Sequence, residues 1–196
     1  MPARPKAASL ANIALAAALS VSCPAQAQDL SIRTARDGEF ITISASAVMR
    51  VDPHIAWAVL SDYDHLAGFI PDMKSSRVLS RHGNVVRVEQ TGDVGFLFFK
   101  EPVNVILEVH EEPPGRITAR GVEGNIKALE TRYDLNSSDA GVRLDYAGRF
   151  VPYFVVPLLI GMPIVNNLIE RRFRAMVNEI QRRDDLARAT GKQSVR

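Results

Sequence analysis

The sequence predicts an α+β fold: a curved antiparallel sheet wrapped around one long C-terminal helix, in the order strand, two short helices, about six strands, long helix. Three observations predict it. Period-two alternation recurs in short runs between Phe40 and Phe150, separated by Gly-, Pro- and Asn-containing turns. A stripe at helical spacing then follows, made by Ile164, Val165, Leu168, Ile169, Phe173, Met176, Val177 and Ile180. No internal repeat or second domain interrupts this order, so the apolar faces of sheet and helix must bury each other.

The elements are justified in chain order. Arg4 and Lys6 precede an uncharged run from Ala7 to Ser22, and Ala25-Gln26-Ala27 is an A-x-A cleavage site. The run is shorter than the roughly 20 residues needed to span a bilayer. The expectation is a signal peptide over 1–27, with export to a bacterial periplasm. A lipoprotein signal using Cys23 is the alternative, but Ser20 stands where such signals usually carry a leucine-like residue. Residues 28–38 read as a polar lead-in, 39–186 as the folded domain and 187–196 as a polar tail.

Ile41, Ile43, Ala45, Ala47, Met49 and Val51 alternate with polar residues and predict a strand. Asp52-Pro53 is an N-cap followed by a proline suited to a first helical position, so a helix should run from Pro53 to about Leu60. It should bury Ile55, Trp57, Val59 and Leu60. A second short helix is expected over His65–Phe69, ended by Pro71. Strands follow at 76–81 and 85–90 around His82-Gly83-Asn84, then at 103–109, 117–120, 128–135 and 142–150. Pairing Leu135 with Val142 would set Asp134 against Arg143 and Arg132 against Asp145. The long helix should start near Pro163, with Glu170–Arg174 and Glu179–Arg183 as i,i+4 pairs, and fray beyond about Leu186.

Composition narrows the function classes. The chain has 196 residues, a formal net charge of +2, 46% hydrophobic residues and one cysteine. That excludes a disordered chain and a disulfide scaffold, and argues against a nucleic-acid partner. Residues 1–27 hold two bases, no acid and the only cysteine, so the remainder balances 22 bases against 22 acids and has no thiol. Thiol chemistry and cysteine-ligated metals are thereby excluded from it. Residues 171–196 carry eight bases and three acids. This reads as a solvated basic helix face, or as attraction to anionic lipid headgroups.

Val51-Asp52-Pro53 leading to Trp57-Ala58-Val59-Leu60-Ser61-Asp62-Tyr63, then Phe69-Ile70-Pro71-Asp72-Met73 and the terminal Arg172-Phe173-Arg174-Ala175-Met176-Val177, resemble the START-like helix-grip superfamily. Within it the chain is most similar to the polyketide cyclase/dehydrase branch, which includes coenzyme Q-binding START-domain proteins. The resemblance covers about 40–183. It implies an apolar ligand (lipid, sterol, quinone or polyketide) held between the sheet and the last helix. The export signal is a departure from the quinone branch.

The alternation sets Val103, Val105, Leu107, Val109, Leu129, Thr131, Tyr133, Leu144, Tyr146 and Phe150 inward, and the charges of the same strands outward. Acid–base catalysis needs a titratable group against its substrate, and the inward pattern offers mainly tyrosine hydroxyls. Two apolar stretches expected to be loops, 95–99 and 150–165, read as pocket wall or lid, interfacial membrane contact or core. The residues expected to line a ligand site are Phe69, Met73, Phe96, Phe98, Leu107, Tyr133, Tyr146, Phe150, Tyr153, Leu159, Met162 and Ile169. The four histidines sit on separate elements without metal-site spacing, and His65 lies near Asp62 at a pocket mouth. No catalytic residue, metal or cofactor is expected. The expected partner is a hydrophobic small molecule or lipid, with peripheral membrane contact. An enzyme of the cyclase or dehydratase type and a scaffold without ligand are the other two readings.

Overall fold

The computed structural model describes residues 30–96, 99–138, 141–153 and 158–193. Eight strands form one antiparallel sheet: β1 (Leu30–Asp37), β2 (Phe40–Met49), β3 (Met73–His82), β4 (Val85–Phe96), β5 (Phe99–Glu112), β6 (Arg116–Gly124), β7 (Ile126–Ser138) and β8 (Gly141–Pro152). Their order in space is β1-β2-β8-β7-β6-β5-β4-β3. Helix α1 (Pro53–Leu60) and a 3-10 helix (Tyr63–Gly68) lie between β2 and β3, and α2 (Leu158–Gln193) closes the chain. This is the expected helix-grip architecture. The expected signal segment lies outside the described residues.

Local chemistry explains the element ends. Asp52 caps α1, its carboxylate accepting from the His54 amide at 2.8 Å. α1 buries Ala56, Val59 and Leu60, while Ile55 and Trp57 are only half-buried. Gly83 turns the β3–β4 hairpin at φ 58°, a left-handed value that glycine takes without strain. Pro113-Pro114-Gly115 separates β5 from β6.

Four expectations change. Residues 30–37 form an edge strand rather than an irregular lead-in, paired with β2 along its length. The β7–β8 register differs from the expected one by two residues: Leu135 faces Leu144 and Tyr133 faces Tyr146. A two-residue slip keeps every side chain on its face, so the inward set is unaltered, but the charge pairs change. Asp134 is instead held by Arg116 on β6 at 2.6 Å and by Arg132 at 2.8 Å. Asp145 is held by Arg143, and Glu130 meets Arg149 directly across the strands through two hydrogen bonds. Lastly, α2 begins at Leu158, so Pro163 lies inside it rather than at its start. The stretch 95–99 is likewise mostly strand, with Phe96 paired to Phe99.

The core lies between the concave sheet face and α2. Val86 and Val88, Val105, Leu107 and Val109, Ile117, Leu135, Val142 and Leu144 meet Phe173, Met176, Val177 and Ile180, with α1 closing one end. A smaller separate cluster joins Ile41 and Val165 to Phe150, Met162 and Ile169. α2 also bridges the two sheet edges. The Thr34 hydroxyl on β1 donates to Asn166 at 3.3 Å, and Arg171 reaches Asp72, just before β3, at 2.8 Å. No helix among the described residues is long and apolar enough to cross a membrane.

Candidate functional site

Tyr133 and Tyr146 face each other across β7 and β8, their ring centroids 4.7 Å apart. Tyr146 also meets Phe173 of α2 at 6.3 Å. The two phenols therefore stand between the sheet and the helix, packed against the main core cluster. Burial pushes the Tyr133 hydroxyl up to about 12, with the Arg172 charge pulling the other way. Burial also raises Tyr146, as does the neighbouring Tyr133, against the same pull from Arg172. Both are thus neutral hydroxyls at physiological pH. No hydrogen bond to a described residue engages either one.

The third polar member is Arg172. It falls within the inward stripe of α2, three residues after Ile169 and four before Met176. Its Nε donates to the Pro71 carbonyl at 3.2 Å. Burial pulls its pKa down; the charge of Asp72 and the two phenols opposes this, while Arg171 adds to it. Counting Arg172 among solvated helix bases misses this residue. Its spacing from Leu168, Ile169 and Met176 is the signal that could have found it.

The expected lining residues divide into groups. Phe69 and Met73, half-buried beside the 3-10 helix and at the start of β3, pack with Leu107, Tyr133 and Tyr146 on the main cluster. Phe150, Met162 and Ile169 gather around Ile41 and Val165 at the N-terminal end of α2. Tyr153 is 59% exposed at the end of β8 and lies outside both groups. Phe98 lies outside the described residues, and Phe96 and Leu159 are placed by backbone alone.

Two polar clusters support the scaffold around this site. Glu111 is buried and accepts from the Tyr63 hydroxyl at 2.9 Å and from Arg81 at 2.7 Å. Asp62 holds His65 at 2.6 Å and Arg183 at 2.8 Å, and His65 is exposed. An open cleft of about 570 Å³ lies between the start of α1 and the end of α2, lined by Val51, Asp52, Pro53, Ile55, Asp184, Ala187 and Arg188. It shares no residue with the tyrosine–arginine group. Among the described residues no group of three His, Cys, Asp or Glu side chains could hold a metal ion.

Chemically, the arrangement offers apolar walls and three side chains that donate hydrogen bonds. The carboxylates of β7 and β8 point the other way and are taken up in ion pairs.

Comparison with solved structures finds the same fold at low identity. A STAR-related lipid transfer protein from Xanthomonas axonopodis matches with a TM-score of 0.62 and 13% identity, over 78% of this chain and 93% of that one. The Zhui aromatase/cyclase from Streptomyces sp. R1128 matches at 0.57 and 16%, over 79% and 94%. A START superfamily protein from Mycobacterium smegmatis matches at 0.56 and 14%, over 74% and 98%. A comparison with curated proteins finds no match. At such identities the likeness establishes the fold, and function must be argued from the site. The family is established by sequence: over residues 41–183 the chain matches the family described as polyketide cyclase / dehydrase and lipid transport, and it belongs to that family.

Proposed function

We propose that this protein is an exported binding or carrier protein for a hydrophobic small molecule or lipid, held between the concave sheet face and α2. The observation that carries this reading is the pair of neutral hydroxyls of Tyr133 and Tyr146, without a hydrogen-bond partner among the described residues and set among apolar side chains beside Arg172. A buried phenol ordinarily finds a partner, and a bound ligand supplies one. Apolar burial, roughly 25 cal/mol per Å² before association costs, drives such binding. The lipid transfer protein and the aromatase/cyclase above support a ligand-handling role for the fold. The entrance is assigned to the apolar stretches 96–99 and 150–162 on their composition, which also suits contact with a membrane surface during loading. Export rests on residues 1–27.

A second reading, a cyclase or dehydratase, draws on the same three donors. A guanidinium beside two phenols can polarise a carbonyl as negative charge develops on it. Under that reading a polyketide-like substrate is converted, whereas a carrier returns it unchanged.

The test is native mass spectrometry of the protein purified from its own periplasmic fraction, followed by solvent extraction. A mature mass beginning at Gln28 and a co-purifying lipid or quinone support the proposal. Repeated absence of any adduct, together with failure to take up an apolar fluorescent probe, sinks it.

A further inference from the structure

The arginines of α2 follow a rule with one exception. Arg171 pairs with Asp72, Arg174 with Glu170, Arg182 with Glu179, Arg183 with Glu179 and Asp62, and Arg188 with Asp184, all at 2.6–2.8 Å. Arg172 has no carboxylate partner among the described residues. It is half-buried, at a stripe position between Ile169 and Met176, and the ring of the following Phe173 meets Tyr146. The nearby Asp72 carboxylate is taken by Arg171, leaving Arg172 only the Pro71 carbonyl, bonded through Nε.

Arg172 is half-buried, and a charge drawn out of water without a directly paired counter-charge keeps part of its desolvation penalty. Arg172 stays protonated across the physiological range and keeps four N–H donors on its two terminal nitrogens. The two phenols add two O–H donors that do not compete with one another for a protein acceptor. The group is rich in donors and holds no acceptor of matching charge.

We propose that Arg172 recognises the head of the ligand, and that the ligand is an otherwise apolar molecule bearing a single oxyanion, a carboxylate or a phosphate, which the Tyr133 and Tyr146 hydroxyls also bind. This rests on the carrier reading above and narrows it. A guanidinium suits either head because its planar fork can donate two parallel hydrogen bonds to one oxyanion. The apolar tail then lies along the sheet face toward Leu107 or toward Phe150 and Ile169.

The experiment compares dodecanoic acid, dodecyl phosphate and dodecan-1-ol by isothermal titration against the wild type, Arg172→Gln and Arg172→Lys. These probes share one tail and differ in the head. The wild type is expected to bind at least one acid about tenfold to hundredfold more tightly than the alcohol, the range of a hydrogen bond to a charged group. Arg172→Gln should erase that preference and leave the alcohol unchanged, and Arg172→Lys should keep part of it. Which acid binds more tightly identifies the head. If the alcohol binds the wild type as well as both acids, the inference fails and the carrier reading stands, a result that does not depend on any variant folding. A preference that survives in Arg172→Gln overturns it equally. If none of the three binds, the carrier reading fails with it.

Discussion

The phenol oxygen of Tyr146 fills the space that a side chain at Gly148 would need: a Cβ built there would stand 2.6 Å from that oxygen and 3.0 Å from the ring carbon bearing it. The two residues share one face of β8, two positions apart. Glycine at 148 thus sets the tilt of the Tyr146 ring. Gly148→Val should displace the ring and cost about 1–3 kcal/mol through overpacking. Urea unfolding measures the loss, and near-ultraviolet circular dichroism reports the moved phenol. An unchanged tyrosine signal would show that the ring does not depend on this notch.

Glu111 should be worth more to stability than its neighbours in the sheet. It is 7% exposed, and it reaches past β4 to Arg81 on β3 while holding Tyr63. Tyr63→Phe removes one hydrogen bond and should cost about 1 kcal/mol. Glu111→Ala strands a buried phenol and releases Arg81, and should cost about 2–4 kcal/mol. Urea midpoints at constant m-value distinguish the two. Equal losses would mean that the contact to Arg81 contributes nothing.

Acid should weaken the Glu179–Arg182–Arg183 cluster within α2. The Arg182 guanidinium, and after it Arg183, hold Glu179 down to about 2, against a burial that raises it. A carboxylate depressed in the folded state adds stability that is complete above its unfolded value near 4.5 and is lost as pH falls toward about 2. The contribution is at most about 3 kcal/mol, less for the solvent that reaches both arginines. Glu179→Gln should flatten the urea midpoint between pH 4.5 and 2 and lower it above pH 5. A wild-type midpoint that does not fall in that window would contradict the assignment.

Asp184 is 1% exposed and joins two distant elements, accepting from the Asp52 amide at 2.8 Å and pairing with Arg188 at 2.6 Å. Asp184→Ala should cost about 2 kcal/mol, since the Asp52 amide loses its acceptor and Arg188 its counter-charge. Asp184→Asn can still accept from Asp52 and should cost about half as much. Thermal unfolding ranks the pair, and the reverse order would place the main contribution elsewhere.

The sequence displayed some of these features openly and hid others for identifiable reasons. The Asp52-Pro53 start of α1, the inward set of β5, β7 and β8 and the Glu170–Arg174 and Glu179–Arg183 pairs were legible because each rests on a local period or spacing. The strand β1 was not, because only Leu30, Ile32 and Thr34 mark its inner side before the pattern gives way to exposed positions. The β7–β8 register was ambiguous because a two-residue slip keeps both faces. The start of α2 was displaced by Pro163, which suits a first turn but lies farther in. Arg172 was hidden by its charge: grouped with the other helix bases, it reads as surface, although its spacing places it on the buried stripe.

The two halves of α2 are fastened by unlike means. Beyond residue 179 it is riveted by charge to Asp62, to the Asp52 amide and to the Arg50 carbonyl. Before residue 170 it rests on a small detached apolar cluster and one 3.3 Å hydrogen bond from Thr34. The helix is therefore a beam clamped at one end. Lifting the other end would expose the interior to solvent without opening a single rung of the sheet, so under the carrier reading proposed above ligand entry does not require unfolding of the sheet. Amide exchange should divide along the same line, with residues 161–169 exchanging through local opening and residues 176–184 only when the whole fold gives way.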